Sequence, residues 1–259
     1  MSFTNILTAQ NGYVLTITIN RPKQLNALNK DTINELNQAL TKADSDSNVG
    51  VVILTGSGDK AFVAGADIKE FASFDIENGK KLAAQGQDKL FNLIEKMSKP
   101  VIAAINGFAL GGGLELCMAS HIRVASDNAR MGLPEVSLGV IPGYGGTQRL
   151  AQLVGRGKAM EMVTTAGMIS ADDAKNCGLV NHVTTPEELI GLAEKIASKI
   201  IKNSPNAVSA AMRAINANYI DGVNGYETEI EEFGKCFGTP EFIEGTTAFM
   251  EKRKAEFRK

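Results

Sequence analysis

Residues 51–56 read VVILTG and residues 100–106 read PVIAAIN, and between its first residue and its last neither run holds anything more polar than a threonine. A strand with one wet face alternates apolar and polar residues, whereas a run apolar throughout suits a strand buried on both faces. Such strands belong mainly to parallel sheets covered by helices. By contrast, YVLTITIN (13–20) alternates Leu15, Ile17 and Ile19 with Thr16 and Thr18, as a strand with one wetter face does. Between these runs Leu28, Ile33, Leu36, Leu40 and Ala43 fall at helical spacing ahead of a polar DSDSN, and Leu90, Phe91, Ile94 and Met97 repeat the pattern before Pro100. Strands alternating with helices predict an α/β layered fold with crossover helices and exclude an all-β sandwich.

Beyond about residue 185 the texture becomes helical. Thr185-Pro186, Ser204-Pro205 and Thr239-Pro240 each pair a hydroxyl cap with a first-turn proline, and Thr185 with Glu188 and Ser170 with Asp173 are spaced as capping boxes. No linker or low-complexity run sets this tail apart, and the strand–turn–helix units are too uneven in length for a solenoid. A chain of 259 residues, 44% hydrophobic, suffices for one large core.

Several function classes are excluded early. With 27 basic and 29 acidic side chains the formal charge is −2, so the dense positive surface needed for nucleic acid is missing. Cys117, Cys177 and Cys236 lie 60 and 59 residues apart, form no CxxC spacing and predict reduced thiols without zinc. MSFTNILTAQNGYV carries no leader pattern, which predicts a cytoplasmic protein. The uncharged stretch from Val101 to Leu114 spans 14 residues, short of the roughly 20 a bilayer requires, and contains Asn106 and four glycines.

That stretch ends in GFALGGGLEL (107–116). Glycines opening a helix leave backbone N–H groups free for an oxygen that gains negative charge, with no side chain in the way. On the residues alone, three adjacent glycines fit a tight strand–helix crossing equally well. The nucleotide patterns fail: there is no GxxxxGK[ST], and Gly111-x-Gly113-x-x-Leu116 lacks the final glycine of a dinucleotide fingerprint. Glu115 follows these glycines, and Glu135 follows Pro134 twenty residues later. Each alone could be a carboxylate steadied at an element start. Together, in surroundings of low polarity, they suggest an acid–base pair whose pKa values repulsion and desolvation split apart. His121 and His182 are the only histidines and read as structural.

FVAGADIKEF (62–71), NGFALGGGLELC (106–117), GLPEVSLGVIPGYGGTQRL (132–150) and GRGKAMEMVTTAGMISADDAKNCGLVNHV (155–183), with INRPKQLNAL near the start and FMEKRKAEF near the end, resemble the crotonase or enoyl-CoA hydratase superfamily over nearly the whole chain. The resemblance implies an α/β spiral of β-β-α repeats over residues 1–200 and a C-terminal helical trimerisation region over 201–259, with trimers paired into a homohexamer. It further implies an acyl-CoA substrate, an oxyanion hole from the N–H groups of Ala66 and Gly112, and the glutamate pair of true hydratases in Glu115 and Glu135. Glu135 would deliver a proton to the α-carbon while Glu115 helps water attack the β-carbon. No cofactor is implied, CoA being part of the substrate, nor any metal, nucleic-acid or membrane partner. Contacts to CoA carry over to Lys23, Ala27, Ala64, Asp67, Ile68 and Lys69, and to Phe233 and Lys252 reaching a neighbouring subunit's ligand. Lys23 in an exposed turn and Lys252 on a charged helix face fit plain solvation equally well. Sister activities implied by the family are double-bond isomerisation and hydration of branched or aromatic enoyl-CoAs. A non-enzymatic RNA-binding or scaffold role is opposed by the charge balance and by both glutamates. Tyr144 is expected to line the acyl pocket, whose depth fixes chain length.

Overall fold

A computed structural model describes residues 3–258 of the protein. Strand β1 (Ile6–Asn11) turns back into β2 (Val14–Ile19) as an antiparallel pair with Ile6 opposite Ile19. Helix α1 (Lys30–Ser45) begins where the Asn29 side chain accepts the Thr32 N–H, and it buries Ile33, Leu36, Leu40 and Ala43 as their spacing predicts. Then follow β3 (Val51–Gly56) and β4 (Ala61–Val63). Helix α2 (Ile76–Gly86) runs through a single π-helical turn, Gln87–Phe91, into α3 (Asn92–Lys96). Next come β5 (Val101–Ile105), β6 (Phe108–Leu110), α4 (Gly112–Ala119), β7 (Ile122–Ser126) and β8 (Arg130–Gly132). The remainder comprises α5 (Gly146–Val154), α6 (Arg156–Thr165), β9 (Met168–Ser170), α7 (Ala171–Asn176), β10 (His182–Thr184), α8 (Leu189–Ile201), α9 (Pro205–Ala217), α10 (Gly225–Cys236) and α11 (Pro240–Met250).

Two sheets result. The larger runs β1-β2-β3-β5-β7-β10 and is parallel from β2 onward, and the smaller runs β4-β6-β8-β9. From β3 to β8 successive strands go alternately to the larger and the smaller sheet before the chain returns through helix, which is the β-β-α spiral the resemblance implies. Both faces of the central strands β3 and β5 are covered. Val52 and Leu54 join the main core with Leu36, Leu40 and Leu114, while Val51, Ile53, Ile102 and Ala104 face Leu189, Ala193 and Ala197 of α8. This double burial is the reason VVILTG and VIAAI carry no alternation.

Ser170 and Asp173 form the predicted capping box, and Ser204 and Thr239 cap their helices. The Thr185–Glu188 box does not form. Residues 186–188 make a turn, α8 starts at Leu189, and the Glu188 carboxylate accepts the Thr184 hydroxyl at 2.8 Å. Among the described residues no helix is long and apolar enough to cross a membrane.

Candidate active site

The site lies where β6 ends and α4 begins, between the two sheets' connecting loops. A Cβ on Gly113 would stand 2.0 Å from the Val63 carbonyl oxygen, so only glycine lets the first turn of α4 press against β4. Gly112 is the first residue of that helix, and its N–H has no acceptor within it. Its neighbour across the gap is Ala66: a Cβ on Gly112 would be 3.7 Å from the Ala66 nitrogen. Leu28 N–H donates to Gly65 O (2.9 Å) and Asp67 N–H donates to Leu28 O (2.8 Å), an isolated parallel bridge. In that pattern Leu28 engages the residues on either side of Ala66, so the Ala66 N–H points away from Leu28.

The bridge is held from behind. Arg21 donates through Nη1 to the Ala27 carbonyl and pairs through Nη2 with Asp67 at 3.1 Å. Buried Asn26 donates to the Ser57 and Ala61 carbonyls (2.9 and 2.8 Å) and accepts the Arg21 N–H. Both residues sit in INRPKQLNAL, whose internal polarity was the only sequence signal for them.

Glu115, in the first turn of α4, is 1% exposed. Its Oε1 accepts the N–H groups of Tyr144 (2.7 Å) and Gly146 (2.8 Å). Burial pushes its pKa up to about 7, aided by the charge of Glu135 and opposed by those two N–H bonds and by Arg149. Glu135 opens a 3-10 turn (Glu135–Leu138), and burial raises its pKa as well. Its Oε2 is buried without a hydrogen-bond partner, and its Oε1 lies 2.9 Å from where a Gly111 Cβ would be. Ala66, Gly112, Glu115 and Glu135 all face one cavity of about 970 Å³. Two backbone donors, a carboxylate held by N–H groups and a second carboxyl with a bare oxygen can together bind a carbonyl and move a proton beside it.

Residues 9–259 match the family model described as enoyl-CoA hydratase/isomerase. The chain belongs to that family. It is 49% identical to the short-chain-enoyl-CoA hydratase of Clostridium acetobutylicum, over 99% of this chain and 98% of that one. It is 48% identical to the crotonyl-CoA hydratase of Syntrophomonas wolfei, over 99% of each. The crystal structure of an enoyl-CoA hydratase from Bacillus anthracis superposes with a TM-score of 0.92 at 41% identity, over 98% of this chain and 99% of that one.

Among the residues singled out by resemblance to the enoyl-CoA hydratase/isomerase family, Ala64 and Ile68 also line the cavity. Asp67 faces a smaller adjoining cavity and is engaged by Arg21, as is the Ala27 carbonyl. Lys23 and Lys69 are exposed on short 3-10 turns and line neither cavity. Phe233 on α10 is 67% exposed, and Lys252 follows α11; within one chain neither reaches the site.

Tyr144 closes one end. Its ring stacks on Phe91 at 4.7 Å, and a Cβ on Gly86 would be 2.2 Å from its Cε1. Behind it lies the adjoining cavity of about 430 Å³, which Tyr144 lines from the other side. Burial raises its pKa to about 12, so the wall is neutral. Both histidines stand away from the cavity: His121 accepts the Val101 N–H on Nδ1 at 3.0 Å and is kept neutral by burial, its pKa lowered to about 4, and His182 is exposed on β10. All three cysteines are free, with Cys117 buried in the core.

Proposed function

We propose that this chain is a hydro-lyase that adds water reversibly across the 2,3 double bond of short-chain trans-2-enoyl-CoA thioesters, acting in the cytoplasm as a homohexamer. The observation that carries the reading is the convergence of Glu115, Glu135 and the N–H groups of Ala66 and Gly112 on one cavity. The thioester carbonyl accepts both N–H groups, so the enolate charge that forms in the transition state meets donors already in place. One water sits between the carboxyl groups. Its oxygen bonds to the β-carbon as Glu115, whose Oε1 is held by two N–H groups, takes its proton, and Glu135 gives its own proton to the α-carbon. The pair thus shares one proton and works as a unit. Glu135 suits the acid role because burial favours its neutral form and its Oε2 has no donor to hold a charge. The thioester itself acidifies the α-carbon, so the reading calls for no resident cofactor.

Tyr144 at one end of the cavity supports short acyl chains, and the names of the two relatives described above agree with that choice. Lys23, Ala27, Asp67 and Lys69 on the turns around the Ala66 bridge, with Phe233 and Lys252 from a neighbouring chain, are the proposed contacts of CoA.

The test follows crotonyl-CoA consumption by ultraviolet absorbance. Glu115→Gln and Glu135→Gln should each lose at least about 100-fold in rate. Turnover near wild type by either would overturn the two-carboxylate mechanism, and faster conversion of a 3-enoyl-CoA would favour an isomerase.

A further inference from the structure

Between Gly143 and Arg149 the chain is gripped from two sides. On the inner side Glu115 Oε1 takes the N–H groups of Tyr144 and Gly146. On the outer side Arg149, 8% exposed, donates through Nη1 to the Tyr144 carbonyl at 2.9 Å and through Nη2 to Asn92 Oδ1 (2.9 Å) and Glu95 Oε2 (2.6 Å) on α3. Gly145 between them has φ +93°, and a Cβ there would stand 2.3 Å from Arg149 Nη1, so the guanidinium lies directly on the backbone that carries the Glu115 donors. The left-handed Gly145 turns the N–H groups of the residues on either side of it, Tyr144 and Gly146, onto the same carboxylate oxygen, as in an anion-binding nest. Arg149 pays for its place with an incomplete set of bonds: its buried Nε has no acceptor. A buried guanidinium with an unsatisfied donor, paired to a carboxylate that is still 37% exposed, is weak support for a fold, and its presence beside Glu115 calls for another role.

We infer that Arg149 is a positioning residue for Glu115: its guanidinium fixes the loop carrying the carboxylate's two N–H donors, and with Glu95 behind it sets the field in which Glu115 holds or yields its proton. The titratable and charged groups facing Glu115 are Glu135 from the 3-10 turn, Tyr144 from the loop and Arg149 from α5, with Glu95 of α3 beyond the guanidinium. Arg149 lowers the Glu115 pKa and Glu135 raises it. The strands α4 rests on, β4 and β6, carry no charged residue.

The inference rests on the two-glutamate reading, and the charges give a test of sign. Removing Arg149 takes a positive charge from the carboxylate, so protons leave the pair at higher pH; removing Glu95 leaves Arg149 uncompensated, so they leave at lower pH. In kcat/KM profiles for crotonyl-CoA, Arg149→Gln should move both limbs up by about half to one pH unit and lower kcat about 10-fold or more with little change in KM. Glu95→Gln should move the limbs down. Arg149→Lys, keeping the charge without the fork, should lose kcat with the limbs near their wild-type positions. A role in stability alone would lower activity without displacing the limbs. Superimposable profiles for Arg149→Gln and wild type, or shifts of the same sign for Arg149→Gln and Glu95→Gln, would overturn the inference. Should Arg149→Gln not fold, Glu95→Gln decides: limbs moved down support it, unmoved limbs refute it. Failure of the two-glutamate reading would instead show as turnover by Glu115→Gln in the otherwise native chain.

Discussion

Glu115 is held where a carboxylate is least at home, and the fold bears the consequence. An unfolded Glu115 titrates near 4.5, whereas burial raises the folded value to about 7. Between those values the folded chain keeps a proton the unfolded chain has lost, so this group's contribution to stability is greatest below pH 4.5 and falls as pH rises through 7. The loss is of order 3 kcal/mol. Glu115→Gln, neutral at every pH, should therefore melt several degrees above wild type at pH 8, with the advantage vanishing near pH 4.5. Thermal scans at the two pH values check this, and a variant no more stable than wild type at pH 8 would show the charge to be satisfied after all. Glu115 and Glu135 were legible in the sequence because a carboxylate inside an apolar run needs a reason. Ala66 was not, except through family resemblance: its free N–H arises from the bridge to Leu28, nearly forty residues earlier, which no local pattern encodes. Arg149 was equally silent, since an arginine in a helix beginning GTQRL gives no hint that its guanidinium folds back onto Gly145.

Among the elements, the π-helical turn Gln87–Phe91 has the largest effect on the site. Gln87 donates to the Gly143 carbonyl at 2.7 Å, Phe91 stacks on Tyr144, and Asn92 and Glu95 take Arg149. One residue more than a regular helix turn would hold keeps all four aimed at the same loop. Deleting exposed Asp88 should restore plain α-helix and rotate α3 by about 100° relative to α2, separating these contacts. Far-ultraviolet circular dichroism should be nearly unchanged while crotonyl-CoA turnover falls at least about 10-fold; full activity would show the turn to be incidental. Sequence reading captures elements whose burial is periodic or continuous, hence α1, β2, β3 and β5. It does not register the π turn, whose apolar positions pass for ordinary helix, nor β4, β6, β8 and β9, three residues each and too short for a period. Thr185 fails for a different reason: its box partner Glu188 is taken by Thr184, a competitor one residue away.

At the scale of the molecule, α10 and the residue that follows it carry a stripe of Tyr226, Ile230, Phe233 and Phe237, 83, 71, 67 and 50% exposed, with Phe249 and Met250 of α11 similarly bare. Spaced by four, three and four residues, the stripe is one face of a helix, and a contiguous apolar face of this kind marks a protein interface. Phe233 lies in its middle, so a neighbour covering the stripe would meet the residue proposed to touch its CoA. Light scattering should give about 166 kDa, six chains of 27.6 kDa. Tyr226→Asp with Ile230→Asp should shift the mass toward 27.6 kDa. The two carboxyls and two N–H donors all come from one chain, so dissociation should leave the chemistry assembled and weaken chiefly the hold on CoA. KM for crotonyl-CoA should therefore rise at least about 10-fold in the dissociated variant while kcat falls by much less, because binding remote from the reacting atoms is what is lost. A dissociated variant with unchanged KM would remove Phe233 and Lys252 from the CoA site, and a wild-type monomer at working concentration would leave the stripe on α10 without a partner of its own kind.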